Sequence, residues 1–183
     1  MESEMTSGPS LDVELKSVPV MAYTRGAVHW GEARVREQIR VSTWLRTNMA
    51  PDYLTLYAAR SLFLAGQALQ KPVSTTELHI PVAQIIAYHL LPPAVDPLDY
   101  DPSEPNRRLE PMSAISGFFI INGSMRLSSN ATVAKYLEVT REEFTGIYEA
   151  EIRTPVFPSL GTIKTPFVLV RQVETIFTAR ITS

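Results

Sequence analysis

The stretch Val82-Ala83-Gln84-Ile85-Ile86-Ala87-Tyr88 returns near the end of the chain as Val170-Arg171-Gln172-Val173-Glu174-Thr175-Ile176, with the same apolar rhythm around a central Gln. A chain that echoes itself in order is most simply one unit used twice, so each further echo constrains the same small fold. Two more precede this one. Val41-Ser42-Thr43-Trp44-Leu45 is answered by Val133-Ala134-Lys135-Tyr136-Leu137, each with apolar side chains at i, i+3 and i+4, the spacing of a helix face. A helix of about two turns does not hold by itself, so its aromatic and Leu must be pinned into a sheet. Thr132 or Asn130 suits the N-cap of the second copy, and Ser42 or a residue just before it that of the first.

Tyr53-Leu54-Thr55-Leu56-Tyr57-Ala58-Ala59 is answered by Phe144-Thr145-Gly146-Ile147-Tyr148-Glu149-Ala150. Alone, Tyr53 to Ala68 fits an amphipathic helix built from good helix formers. The partner copy argues for strand in both, because Thr145 and Ile147 are β-branched and Glu149 and Glu151 alternate with Ala150 and Ile152. Val18 to Thr24, Arg25-Gly26 and Ala27 to Trp30 predict a hairpin. Phe118 to Ile121, Asn122-Gly123 and Ser124 to Leu127 predict a second, with Asn-Gly in a type I′ turn. This sets Gly26 on Gly123, Val28 on Met125 and Trp30 on Leu127. Breaker-rich loops over 66–76 and 154–165 lead to closing strands, Leu78 to Val82 with Ile85 to Leu90, and Phe167 to Val170 with Val173 to Thr178. Pro81 demands an edge or a bulge there.

The expected fold is therefore mainly β with short helices: two homologous, barrel-like or curved-sheet units, each ββαβββ, over residues 18–91 and 115–183. Residues 92–114 hold six prolines and five acids and predict an extended linker, placed to dock Leu98 and Tyr100. Residues 1–17, polar, acidic and broken by Gly8-Pro9, predict a disordered tail. Units of this size are marginal alone, so the two are expected to pack together.

Composition narrows the function classes. The net charge of −2 gives no basis for nucleic-acid binding or for a polybasic membrane surface. The chain has no Cys, which removes disulfides, thiolate metal sites and a cysteine nucleophile, and suits a reducing compartment. Residues 1–16 carry Glu2, Glu4, Asp12 and Glu14 without an apolar core, unlike a signal peptide. No apolar run approaches the roughly 20 residues of a membrane helix. A cytoplasmic protein is expected.

No signature motif for catalysis is present: no HExxH, no G-x-S-x-G elbow and no phosphate loop. His29, His79 and His89 have no carboxylate at ligand-like spacing, so no metal is expected. Glu142-Glu143 and the Glu149/Glu151 pair read as solvated acids rather than the contrasting pair that acid–base chemistry needs. Arg34, Arg36 and Arg40 form the most suggestive cluster, since a planar guanidinium meets phosphate bidentately. The Arg36–Arg40 spacing resembles the phosphate-gripping arm of cyclic-dinucleotide-binding PilZ barrels, but the D/N-x-S-x-x-G segment of that family does not follow.

Arg40-Val41-Ser42-Thr43-Trp44-Leu45, then Tyr53 to Ala59, then a closing Val-x-x-x-Ile strand, is similar to a family of short bacterial β-rich domains of unknown function. That family has an R-L-S-D-x-L-N segment and an F-L-x-L-T-D-A strand; Thr43 and Ala58 stand here for its two Asp, and Gln84 where a Lys is common. The likeness implies a compact β module, present as a tandem pair, and no activity. The resulting expectation is a non-enzymatic binding or scaffolding protein without a cofactor, working through a protein partner or self-association. The alternative is a receptor for a nucleotide or other phosphorylated small ligand, gripped by Arg34, Arg36 and Arg40. A flavin- or substrate-binding barrel enzyme is the third reading.

Overall fold

The computed structural model describes residues 14–64 and 71–181. Most of the acidic tail and part of the 66–76 loop lie outside the described residues. The chain runs β1 (Leu15–Thr24), β2 (Ala27–Arg36), a 3-10 turn (Val41–Arg46), β3 (Tyr53–Phe63), β4 (Val73–Pro81), a 3-10 turn (Val82–Gln84) and β5 (Ala87–Leu90). It continues through β6 (Arg107–Ser116), β7 (Phe119–Ser128), α1 (Val133–Val139), β8 (Phe144–Arg153), β9 (Ile163–Arg171), a 3-10 turn (Gln172–Glu174) and β10 (Thr175–Ala179), with one more short turn at Pro158–Leu160. Tyr53 to Phe63 is thus strand, as the comparison of the two echoes predicts.

The ten strands form one antiparallel sheet in the order β10-β6-β7-β8-β9-β5-β1-β2-β3-β4. The sheet stays open, which corrects the first of the two forms expected, barrel-like or curved-sheet. The strand order 5-1-2-3-4 of the first half recurs as 10-6-7-8-9 in the second, and the pair β9·β5 joins them. Matching details accompany the matching order. A register shift opposite Gly31 places Ala58 at φ 46, and one opposite Gly123 places Glu149 at φ 50. These are β-bulges, where an extra residue bends the strand. Each facing glycine is needed for close approach: a Cβ on Gly31 would lie 2.7 Å from the Tyr57 carbonyl oxygen, and one on Gly123 2.7 Å from that of Tyr148.

Asn122-Gly123 is therefore mid-strand, not the expected hairpin turn. The turn is Gly117-Phe118, with Gly117 at φ +56 supplying the left-handed residue. Gly31, not Gly26, corresponds to Gly123, and Trp30 corresponds to Asn122 rather than Leu127. The opening echo also shifts by two residues, since Val82–Gln84 corresponds to Gln172–Glu174, each a 3-10 turn after a strand. The second half starts earlier than expected, because β6 takes up Arg107 to Ser116 from the segment read as linker. Pro111 is tolerated there because the β10 ladder on that side ends at Met112, and Pro19 sits one residue beyond the β5 ladder in the same way.

Two apolar clusters lie on opposite sheet faces. Val20 and Ala22 of β1, Tyr88 of β5 and Leu169 of β9 point into the first, with Val41 and Leu45 from the 3-10 turn. Tyr23, Ala87, Val168 and Val170, on the alternate positions of the same strands, point into the second. Around Ala87–His89 of β5 and Val168–Val170 of β9 the strands are buried on both sides, which is why Val168-Leu169-Val170 is a continuous apolar run.

Candidate functional site

The three expected ligand arginines do not converge on a pocket. Arg34 and Arg36 sit exposed on one face of β2, the Arg34 guanidinium lying 4.0 Å from the centre of the Tyr57 ring. Arg40 immediately precedes the first 3-10 turn and donates to Ser42 Oγ at 3.4 Å. None of the three lines any of five well-formed clefts among the described residues, which range from about 130 to about 420 Å³.

The histidines are separate. His89 is fully buried and donates from Nδ1 to the Leu90 carbonyl at 2.7 Å, so its Nε2 accepts from the Tyr23 hydroxyl at 3.0 Å. Burial pushes its imidazole down to about 4, so it is neutral at pH 7. His29 bridges Ser61 Oγ at 2.8 Å and Thr24 Oγ1 at 3.2 Å, and burial lowers its pKa as well. His79 is exposed on β4, 3.0 Å from Thr55 Oγ1. Among the described residues no three His, Asp or Glu side chains gather where a metal ion could be held. The carboxylates named above mostly meet cations instead. Glu142 reaches Arg46 at 3.9 Å, Glu143 pairs with Arg171, and Glu151 meets Lys164 at 2.9 Å, a contact that holds its carboxyl below the usual range.

The segment between the halves docks as expected at Tyr100 but not at Leu98, which is exposed. The Tyr100 ring meets Tyr148 edge-on at 5.1 Å, and the Arg126 guanidinium lies 4.5 Å above it. Asp96 accepts from the Ser42 backbone N–H at 2.7 Å. Asp99 accepts from Arg46 at 3.0 Å and from the Tyr148 hydroxyl at 2.6 Å. Beside Tyr100 a cleft of about 310 Å³ carries Arg107, Arg108 and Arg126. Their charge is already answered, Arg107 and Arg126 by Glu104 and Arg108 by Glu110.

The feature that stands apart is the junction of the halves. There the Arg171 backbone N–H donates to the Ile86 carbonyl at 2.9 Å, and the ladder continues through Ala87·Val170 and Tyr88·Leu169. The Arg171 side chain, in a residue only 4% exposed, donates from Nε to the Ile85 carbonyl at 2.8 Å and from its terminal nitrogens to the Val82 carbonyl and the Glu143 carboxylate. Its guanidinium also lies 4.5 Å from the centre of the buried Phe144 ring. One guanidinium thus staples the second half onto the 3-10 turn of the first. Sequence reasoning missed it, though an Arg closing the run Phe167-Val168-Leu169-Val170 is the available signal: a charge there is either a strand end or a buried donor.

The two outer strands are the counterpart of this junction. Among the described residues nothing pairs with the outer side of β4 or of β10. On β4, Val73 to Glu77 and His79 are exposed. Beside β10, Val173 is 85% exposed and Ile176 is 67% exposed. A free edge presents unpaired N–H and C=O groups that an incoming strand can satisfy. Among the described residues no helix is long and apolar enough to cross a membrane. Comparisons with protein-family models, with curated proteins and with solved structures find no match to this chain.

Proposed function

We propose that this chain is a non-enzymatic docking or scaffolding protein, cytoplasmic and built by internal duplication of one β module, whose sheet edges receive a strand from a protein partner. The observation that carries the reading is the pair of edges, β4 and β10, left unpaired among the described residues on a sheet whose other strands are paired on both sides. Strand addition draws affinity from main-chain hydrogen bonds and specificity from the alternate side chains. The exposed Val73, Val173 and Ile176 offer such side-chain contacts. The duplication is supported by the shared strand order and the paired bulge-and-glycine positions, and the tandem resemblance to short bacterial β-rich domains agrees with it.

The test uses the purified full chain as bait, with His79→Pro on β4 and Ile176→Lys on β10 as edge-blocked controls of unchanged melting temperature. A partner protein retained by the wild type and lost from one control supports docking. A nucleotide or flavin released on denaturation, with no partner sensitive to either edge, overturns it and favours the phosphorylated-ligand receptor; Arg36→Ala with Arg40→Ala should then abolish ligand stabilisation.

A further inference from the structure

Resting on that docking reading, we infer that the partner for each edge is the opposite edge of a second copy of this chain, β4 of one molecule pairing antiparallel with β10 of the next. Inside the chain the two halves are joined by the fourth strand of the second half, β9, and the fifth strand of the first, β5. The two strands left free are the fourth strand of the first half and the fifth of the second. The unused edges are therefore the same two surfaces that already pair within the molecule.

Their register follows residue by residue. Pro81 faces Tyr53 as Arg171 faces Phe144, so His79 and Ile80 correspond to Leu169 and Val170. Ala87 faces Tyr23 as Ile176 faces Ile115, so Ile176 and Phe177 correspond to Ala87 and Tyr88. The internal pairs Ala87·Val170 and Tyr88·Leu169 thus become Ile176·Ile80 and Phe177·His79 between copies. Because Arg171 N–H bonds across the junction, alternation of the antiparallel ladder makes Tyr88·Leu169 the next bonded pair. His79 and Phe177 then carry the outward N–H and C=O groups at the free edges. The exposed Ile176 side chain gains an aliphatic neighbour in Ile80.

The copy-to-copy contact is weaker than its internal template, and the reason is local. Pro81 stands where Arg171 stands, so both the backbone donor and the guanidinium staple are missing. The edge of β4 is also more polar next to the contact, with Thr76 and Glu77 where β9 has Pro166 and Phe167. The association is accordingly reversible and concentration-dependent, in the micromolar-to-millimolar range. Being head-to-tail, it extends into a chain of copies or closes into a ring.

Sedimentation velocity of the full chain across that concentration range tests the inference, together with hydrogen exchange at the His79 and Phe177 amides. The expected result is an average mass that rises with concentration while those two amides gain protection. His79→Pro and Ile176→Lys should each weaken association by about tenfold or more. A mixture of the two should recover a dimer and nothing larger, since each variant retains the edge that the other lacks. A wild-type chain that stays monomeric at millimolar concentration, or association indifferent to both variants, overturns the inference. A monomeric wild type that still binds a different protein through either edge removes the second copy as occupant and leaves the docking function standing. If neither edge binds anything, both fall.

Discussion

Replacing Arg171 by Met is the most direct challenge to the way the two halves are held together. Methionine fills much of the same space and keeps contact with Phe144, so the perturbation is mainly the loss of donors. The Ile85 carbonyl loses its 2.8 Å partner, and an unsatisfied buried acceptor costs about 1–3 kcal/mol. The Val82 carbonyl keeps its bond from the Ile85 N–H at 3.0 Å, so its loss is smaller. The cation–π contact with the buried Phe144 ring adds roughly 1 kcal/mol. Glu143 has a side chain 57% exposed and returns to water at little cost. The total is about 2–4 kcal/mol, a drop in Tm on the order of 5–15 °C for a chain of this size. Urea denaturation gives the free energy, and hydrogen exchange at the Tyr88, Leu169 and residue-171 amides locates it at the junction. Glu143→Gln serves as the control and should cost less than about 1 kcal/mol. If Arg171→Met lies within about 0.5 kcal/mol of wild type, or Glu143→Gln costs as much, the staple is not what holds the junction.

His89 and the bulge glycines give two further tests. The folded protein holds the His89 imidazole near 4 against an ordinary value of 6.5, so the unfolded chain takes up a proton that the native one refuses. The associated stability is complete above about pH 6.5 and is lost as pH falls towards 4, by roughly 3 kcal/mol. Urea melts at neutral and acid pH should show the wild type losing this much more than His89→Gln, in which the carboxylates titrate alike; equal losses would rule the imidazole out. Gly123→Ala places a Cβ 2.7 Å from the Tyr148 carbonyl oxygen and should cost about 1–3 kcal/mol in the same melts. Gly31→Ala should behave alike. Gly26→Ala, with nothing within 4 Å of the added carbon, should stay within about 0.5 kcal/mol; equal costs at all three would refute the close-approach argument.

The legible parts of this fold were those set by local periodicity. The i, i+3, i+4 spacing located both helical turns, with Thr132 as the N-cap of α1 accepting from the Lys135 N–H at 3.2 Å. Alternation in Phe144 to Arg153 decided the strand character of Tyr53 to Phe63. What misled was glycine, which has two uses. Asn122-Gly123 satisfies every local rule for a hairpin turn, yet this glycine is needed where two backbones approach at a bulge, a demand created by β8 far along the chain. That one misplacement slid the predicted hairpin alignment and hid the correspondences of Pro19 with Pro111 and of Gly31 with Gly123. That the sheet stays open was not legible either, because no local pattern distinguishes two closed units from one continuous sheet. The arginines illustrate the same limit, since Arg34, Arg36 and Arg40 are close in sequence while β2 carries Arg34 and Arg36 onto open surface and Arg40 turns to Ser42 at the head of the 3-10 turn.

The two halves share an order of strands but not a fate for their edges, and a single position accounts for much of the difference. At the end of the fourth strand the second half has Arg171, which supplies a backbone donor and a buried guanidinium to the neighbouring turn. The first half has Pro81, which supplies neither. A repeat with Arg in both places would make every junction equally strong and would drive copies of the chain into an irreversible array. A repeat with Pro in both would leave the halves poorly joined. Having one of each separates the strong junction, used once inside the molecule, from the weak one, available between molecules. Pro81→Arg follows as the reciprocal perturbation: if the guanidinium is what seals a junction of this kind, the variant should self-associate more tightly than wild type in sedimentation, and Ile176→Lys should reverse the gain. Unchanged association would mean that the two edges are not equivalent to the internal pair.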